Sequence, residues 1–193
     1  IVVFGEEHIA CSLGGIQSTS MDEGHRLFST PFSVDNAEQW VSSMLENRVY
    51  VDREIRRDVC TQQLNALCSN LSATIKDWDL LDEVVDLVEF PNTIRCKFPD
   101  DLLELPPRLL VEAMKLHQRV FPLYNQEDGS LRSDFLVVTN HPYADQPDVA
   151  ATIAEGNKRV LTARFYDAKF FFAEDRKKSL MEHGAKLATM RWV

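Results

Sequence analysis

Helical and strand periodicities alternate along this chain without settling into a regular order, and that irregularity points to its fold class. Two β-leaning runs open it, Ile1–Phe4 and His8–Leu13, spaced as a hairpin around Gly5-Glu6-Glu7. Gly14-Gly15 breaks the second run, Ile16–Asp22 reads as turn, and His25–Phe28 reads as a short strand ended by Pro31. Asp35 or Asn36 can cap a helix whose apolar positions Trp40, Val41, Met44, Leu45 and Val49 share one 3.6-period face. The spacing predicts a second helix over Asp52–Asn70, with Ile55, Val59, Leu64, Leu67 and Leu71 inward. Arg53, Arg56, Arg57 and Asp58 are then expected in water. A third helix, Trp78–Phe90, is apolar over more than half its circumference and is stopped by Pro91.

Further on, Thr93–Phe98 alternates as a strand. Pro106-Pro107 places proline in the first turn of a helix over Arg108–Gln118, with Leu109, Leu110, Ala113 and Leu116 inward. Val120–Tyr124 and Phe135–Val138 read as strands, with Asp128-Gly129 marking the reversal between them. From Pro147 to about His183 the pattern is helical, with a break expected at Gly156-Asn157. Without a strict βαβα order the class is α+β, a mixed or antiparallel sheet with packed helices. The polar stretch Ser69–Lys76 is the best seam. It divides a smaller N-terminal α+β part, residues 1–70, from a main α+β part, residues 71–193, that ends in a basic helix.

A chain of 193 residues, 45% hydrophobic and 26% charged, can build a core without disulfide or metal staples. Its apolar runs stop near four residues, far short of the ~20 that span a bilayer, so no membrane segment is expected. Cys11, Cys60, Cys68 and Cys96 form no C-x-x-C pair. Cys60 and Cys68 fall on one predicted helix, roughly 12 Å apart, beyond disulfide reach. Reduced thiols and a cytoplasmic location are the expectation. The opening Ile1-Val2-Val3-Phe4 lacks both Met and signal-peptide order, as in a piece of a longer protein.

The net charge of −9 is unevenly spread. Residues 156–193 hold nine basic side chains against four acidic ones, so the remainder carries −14. An acidic body with a basic tail can touch nucleic acid locally, or the tail is simply a solvated basic face.

Phosphate-loop, dinucleotide-binding, nucleophile-elbow and zincin signatures are all missing from the sequence. The five histidines include no i,i+3 or i,i+4 pair, so neither a catalytic constellation nor a metal site is expected. In Met114–Arg119, Lys115, His117, Gln118 and Arg119 can present donors to a phosphate or base, or can merely satisfy the carbonyls of a helix C-terminus. Arg159–Lys178 interleaves aromatics with cations, either to stack on unpaired bases or as a core stripe fringed by snorkelling side chains. The RNA-facing candidates are Lys115, His117, Arg119, Arg159, Arg164, Arg176, Lys177 and Lys178. Arg164 can alternatively pair with Asp167 at i,i+3.

Three blocks carry a resemblance. Leu87-Val88-Glu89-Phe90-Pro91, Leu103–Pro107 and Met114–Tyr124 form the first, Gly156–Leu161 with Ala163–Phe171 the second, and Leu13–Ser18 with Gly24–Phe28 and Pro31 the third. In order and spacing they resemble the beta subunit of bacterial glycyl-tRNA synthetase. Val120, Phe165 and Leu27 depart from the family pattern. The resemblance implies an enzyme that joins glycine to tRNA(Gly) with ATP and magnesium. Its catalytic core lies in an alpha subunit, or in the alpha part of a fused chain, so this piece is expected to hold no cofactor. The expected role is an accessory, tRNA-facing and subunit-bracing module without catalysis of its own. Its fold is expected to be distantly similar to the editing-type module of the phenylalanyl-tRNA synthetase beta subunit, with Met190–Val193 at the edge of an HD-like region. Two alternatives stay open. One is a hydrolase of mischarged tRNA in which His117 positions a water; the other is a purely structural connector.

Overall fold

The computed structural model describes residues 1–4 and 6–187. The N-terminal segment carries six two-residue strands: β1 (Val3–Phe4), β2 (Glu7–His8), β3 (Ser12–Leu13), β4 (Ile16–Gln17), β5 (Met21–Asp22) and β6 (Phe32–Ser33). They pair as three antiparallel ribbons, β1 with β2, β3 with β4 and β5 with β6. Helix α1 (Ala37–Glu46) follows, then α2 (Arg53–Asn70), β7 (Ala73–Thr74), α3 (Asp79–Val85) and β8 (Asn92–Lys97). A 3₁₀ turn at Asp100–Glu104 leads to α4 (Pro107–Glu112), which runs into a π-helical turn, Ala113–His117. Strands β9 (Phe121–Asn125) and β10 (Leu131–Thr139), the long helix α5 (Pro147–Asp175) and α6 (Leu180–Leu187) complete the order.

The main sheet is antiparallel, in the order β7-β9-β10-β8. Alternation along β10 sends Leu136 to one face and Phe135 and Val137 to the other. On the first face Leu136, Phe121 and Leu123 pack with Cys60, Leu64 and Cys68 of α2 and with Leu80, Leu81, Val84 and Val85 of α3. On the second, Phe135 and Val137 pack with Leu110, Met114, Leu161 and Phe165. The α+β class therefore takes the form of an antiparallel sheet between α2 and α3 on one side and α4 and α5 on the other.

The helix starts follow from their caps. Asn36 Oδ1 accepts from Gln39 N at 2.9 Å, and Asp52 Oδ1 accepts from Glu54 N at 2.7 Å and Ile55 N at 3.3 Å. Arg53 and Arg57 of α2 bind Asp82 of α3, and Arg53 also binds Asp86. Gly129, at φ +68°, lets the β9–β10 connection reverse where Asp-Gly predicts it. The thiols of Cys60, Cys68 and Cys96 are free and buried, and Cys11 is free and exposed.

Several local expectations are corrected. Ile16–Asp22 contains β4 and the start of the β5–β6 ribbon, whereas His25–Phe28 is turn and not strand. The inner stripe of α2 is Cys60, Leu64 and Cys68, spaced at i,i+4, while Ile55 is exposed. Arg56 is not simply in water: its Nη1 donates to the carbonyls of Tyr50 and Val51 at 2.6 and 2.9 Å. Helix α3 stops at Val85, short of Phe90. Helix α5 runs straight through Gly156-Asn157, and the break falls after Asp175 instead. A lone glycine in a helix interior costs only about 1 kcal/mol, which packing of Leu161 and Phe165 offsets. The expected edge at Met190–Val193 lies outside the described residues. Among the described residues no helix is long and apolar enough to cross a membrane.

Candidate functional site

The motif residues fall into two places with different jobs. The first is a joint between the N-terminal segment and the sheet. His25 is fully buried, and its Nε2 lies 2.9 Å from the Asn140 carbonyl oxygen. Its backbone N–H donates to the Asn47 carbonyl at 2.8 Å. Phe28 packs on the rings of His25, His141 and Tyr143. Asn140 Oδ1 accepts from Glu89 N and Phe90 N at 2.8 and 3.0 Å, so the Leu-Val-Glu-Phe-Pro block is held at the same point. The Arg48 guanidinium lies over the rings of Phe90 and Tyr143. These contacts fix the block in place, and its Leu87, Val88 and Glu89 also line a cavity of about 350 Å³ with Arg26 and Asn140.

The second place is a groove of about 630 Å³ between α4 with its π-helical turn and the C-terminal half of α5. Leu109, Ala113, Leu116 and His117 line one wall; Arg164, Asp167, Ala168 and Phe171 line the other. The π turn makes it. Met114 is buried, whereas Leu116, expected inward, is 70% exposed, because a wider turn shifts the following residues around the axis. Arg119 ends the turn at φ +51°. Lys115 pairs with Asp77 and Arg119 with Glu83. Those two cations are therefore occupied within the chain, anchoring the turn and leaving Leu116 and His117 facing α5.

On α5 the predicted cations separate. Arg164 lines the groove and makes no ion pair with Asp167 among the described residues, contrary to the i,i+3 expectation. Arg176 lies 5.5 Å from the centre of the Phe172 ring, and Lys177 pairs with Glu174. Lys178 is exposed. Arg159 sits five residues, about 1.4 turns, before Arg164, beside Ala151, Thr152 and Glu155. The structure thus brings His117 and Arg164 together, places Arg176 and Lys178 beyond the same end of α5, and sets Lys115, Arg119 and Arg159 apart. Sequence periodicity missed Leu116 and Phe171 as groove walls and Asp77 and Glu83 as anchors. The exposure of Phe171, at 62%, follows from the crowded aromatic run Phe170-Phe171-Phe172, which cannot all face inward.

A profile describing glycyl-tRNA synthetase beta subunits matches residues 1–193. The chain belongs to that family. Among its curated relatives, the glycine–tRNA ligase beta subunit of Listeria monocytogenes serotype 4a is 37% identical over 188 residues, covering 97% of this chain and 27% of the relative. The beta subunits of Halothermothrix orenii (37%, 97% and 27%) and Moorella thermoacetica (35%, 97% and 26%) are similarly related. The chain thus spans about a quarter of the length of these relatives. Within this beta-subunit family fold, the Gly-His-Arg and Leu-Val-Glu-Phe-Pro blocks serve the joint and the Met-Lys-Leu-His-Gln-Arg block serves the groove.

Proposed function

We propose that this chain is an accessory module of glycyl-tRNA synthetase that faces tRNA(Gly) and braces the catalytic alpha subunit, or the alpha part of a fused chain. The ligase as a whole attaches glycine to its tRNA with ATP and magnesium in the cytoplasm. The observation that carries the RNA-facing part is that Arg164 in the C-terminal half of α5 and Arg176 and Lys178 just beyond its end make no ion pair among the described residues, in a chain of net charge −9. Phosphate contact requires cations that intramolecular carboxylates have not neutralised. Lys115, Arg119 and Lys177 fail that condition, and Arg159, which meets it among the described residues, lies away from the groove.

The fold is read as distantly similar to the editing-type module of the phenylalanyl-tRNA synthetase beta subunit, without its chemistry. Among the described residues no carboxylate or carbonyl orients the His117 ring, so geometry lends no support to the hydrolase reading. The test uses the intact enzyme with Arg164, Arg176 and Lys178 replaced by Gln. Glycylation should show a raised KM for tRNA, while glycine-dependent ATP–pyrophosphate exchange stays at the parental rate. An unchanged KM for tRNA would contradict the reading.

A further inference from the structure

We infer that the groove between the π-helical turn and α5 holds one unpaired ribonucleotide of an RNA strand, its base against Phe171 and Leu116 and its phosphate on Arg164 and His117. The inference rests on the RNA-facing reading above and adds what is held and where.

The π turn is built for presentation. Lys115 within it and Arg119 just after it are paired with Asp77 and Glu83, and Met114 is buried in the core, so Leu116 and His117 remain to face α5. The groove's volume, about 630 Å³, falls in the range of small-ligand sites, and its walls combine apolar surface with a few polar groups. Phe171 is 62% exposed and meets Phe170 edge-to-face at 5.5 Å, so much of its ring is open for a base to stack on. Among the described residues Arg164 has no carboxylate partner although Asp167 lies three residues on, so its charge is available to a phosphate. Asp167 supplies an acceptor for a base amino group or a ribose hydroxyl. A duplex buries its base faces in its own stack and cannot use Phe171, which selects an unpaired nucleotide.

The experiment measures binding of a labelled 12-nucleotide single-stranded RNA, and of the same strand annealed to its complement, to the full-length enzyme. Phe171→Ala should weaken the single strand about ten-fold and leave the duplex within two-fold. Phe171→Tyr, which keeps the ring, should restore parental binding. Arg164→Gln should lower the single-strand salt slope by about 0.7. Parental melting temperatures of the variants exclude misfolding as the cause. Equal losses on both probes, no loss on either, or competition by free AMP as effective as the oligonucleotide would each overturn the inference. If Phe171→Ala is silent while Arg176→Gln with Lys178→Gln still weakens tRNA, the groove assignment falls and the RNA-facing reading stands. If neither has an effect, both fall.

Discussion

His25 and Asn140 lie 115 positions apart in the chain, yet the buried His25 Nε2 sits 2.9 Å from the Asn140 carbonyl oxygen. Leu27 N lies 3.4 Å from Nδ1, which assigns the ring proton to Nε2 and makes Nε2 the donor. Removing the fully buried ring leaves a part-buried carbonyl without that partner, so His25→Ala should cost about 1–3 kcal/mol. Thermal unfolding of the parent and variant measures it.

Gly24 beside it has no room for a side chain. A Cβ there would come within 2.2 Å of Asn47 Cβ and 2.5 Å of the Asn47 carbonyl oxygen. Because one obstruction is backbone, relief requires the joint to shift. Gly24→Ala should therefore destabilise by about 1–3 kcal/mol, a fall in melting temperature of roughly 2–12 °C for a domain of this size.

The pairs that anchor the π turn should act on stability only slightly. Arg119 and Glu83 are each about half exposed, and such pairs contribute roughly 0.2–1 kcal/mol. A double-mutant cycle with Arg119→Ala and Glu83→Ala should return a coupling in that range, screened by added salt.

Thiol reactivity should divide one against three. Burial pushes the thiols of Cys60 and Cys96 up to about 11 and about 12, and raises that of Cys68. At neutral pH their thiolate fractions are negligible. Cys11 is exposed. Within this segment, native labelling with a thiol reagent at pH 7 should modify Cys11 quickly and the other three only after denaturation, as peptide mass mapping would register.

Acid should erase one stabilising set. Hydrogen bonds from Arg57, then from Arg53, hold the Asp82 carboxyl below the usual carboxylate range. A depressed folded value means the contribution is fully present above the unfolded pKa of about 3.9. It is lost as pH falls through the folded value. Asp82→Asn should therefore melt below the parent at pH 7, and the gap should close as pH falls below about 4. A gap that widens in acid would contradict the assignment.

Much of this architecture was legible where one residue decides locally. Asp52 caps α2, Pro107 opens α4, and Asp128-Gly129 turns β9 into β10, each by its own backbone chemistry. Leu64, Leu67 and Leu71 of the expected α2 stripe do face the core, whereas Ile55 does not, and Cys60 and Cys68, which behave as small hydrophobes, complete the face. The π turn has no periodic signature, so a regular helix sent Leu116 inward and hid the groove. Cations were visible as residues, but which of them are already paired depends on contacts 36 to 38 positions away, Arg119 with Glu83 and Lys115 with Asp77. No local pattern carries that information.

Arg164 on α5 and Arg176 and Lys178 just beyond it are proposed to meet RNA, whereas the paired Lys115 and Arg119 are not. This central claim is tested most directly by tRNA(Gly) affinity of the full-length enzyme against salt, for two sets of substitutions. Arg164→Gln, Arg176→Gln and Lys178→Gln together should flatten the log–log slope by about 2–3 at an unchanged melting temperature. Lys115→Gln with Arg119→Gln should leave the slope at the parental value. A parental slope in the first set, or a flattened one in the second, would contradict the account.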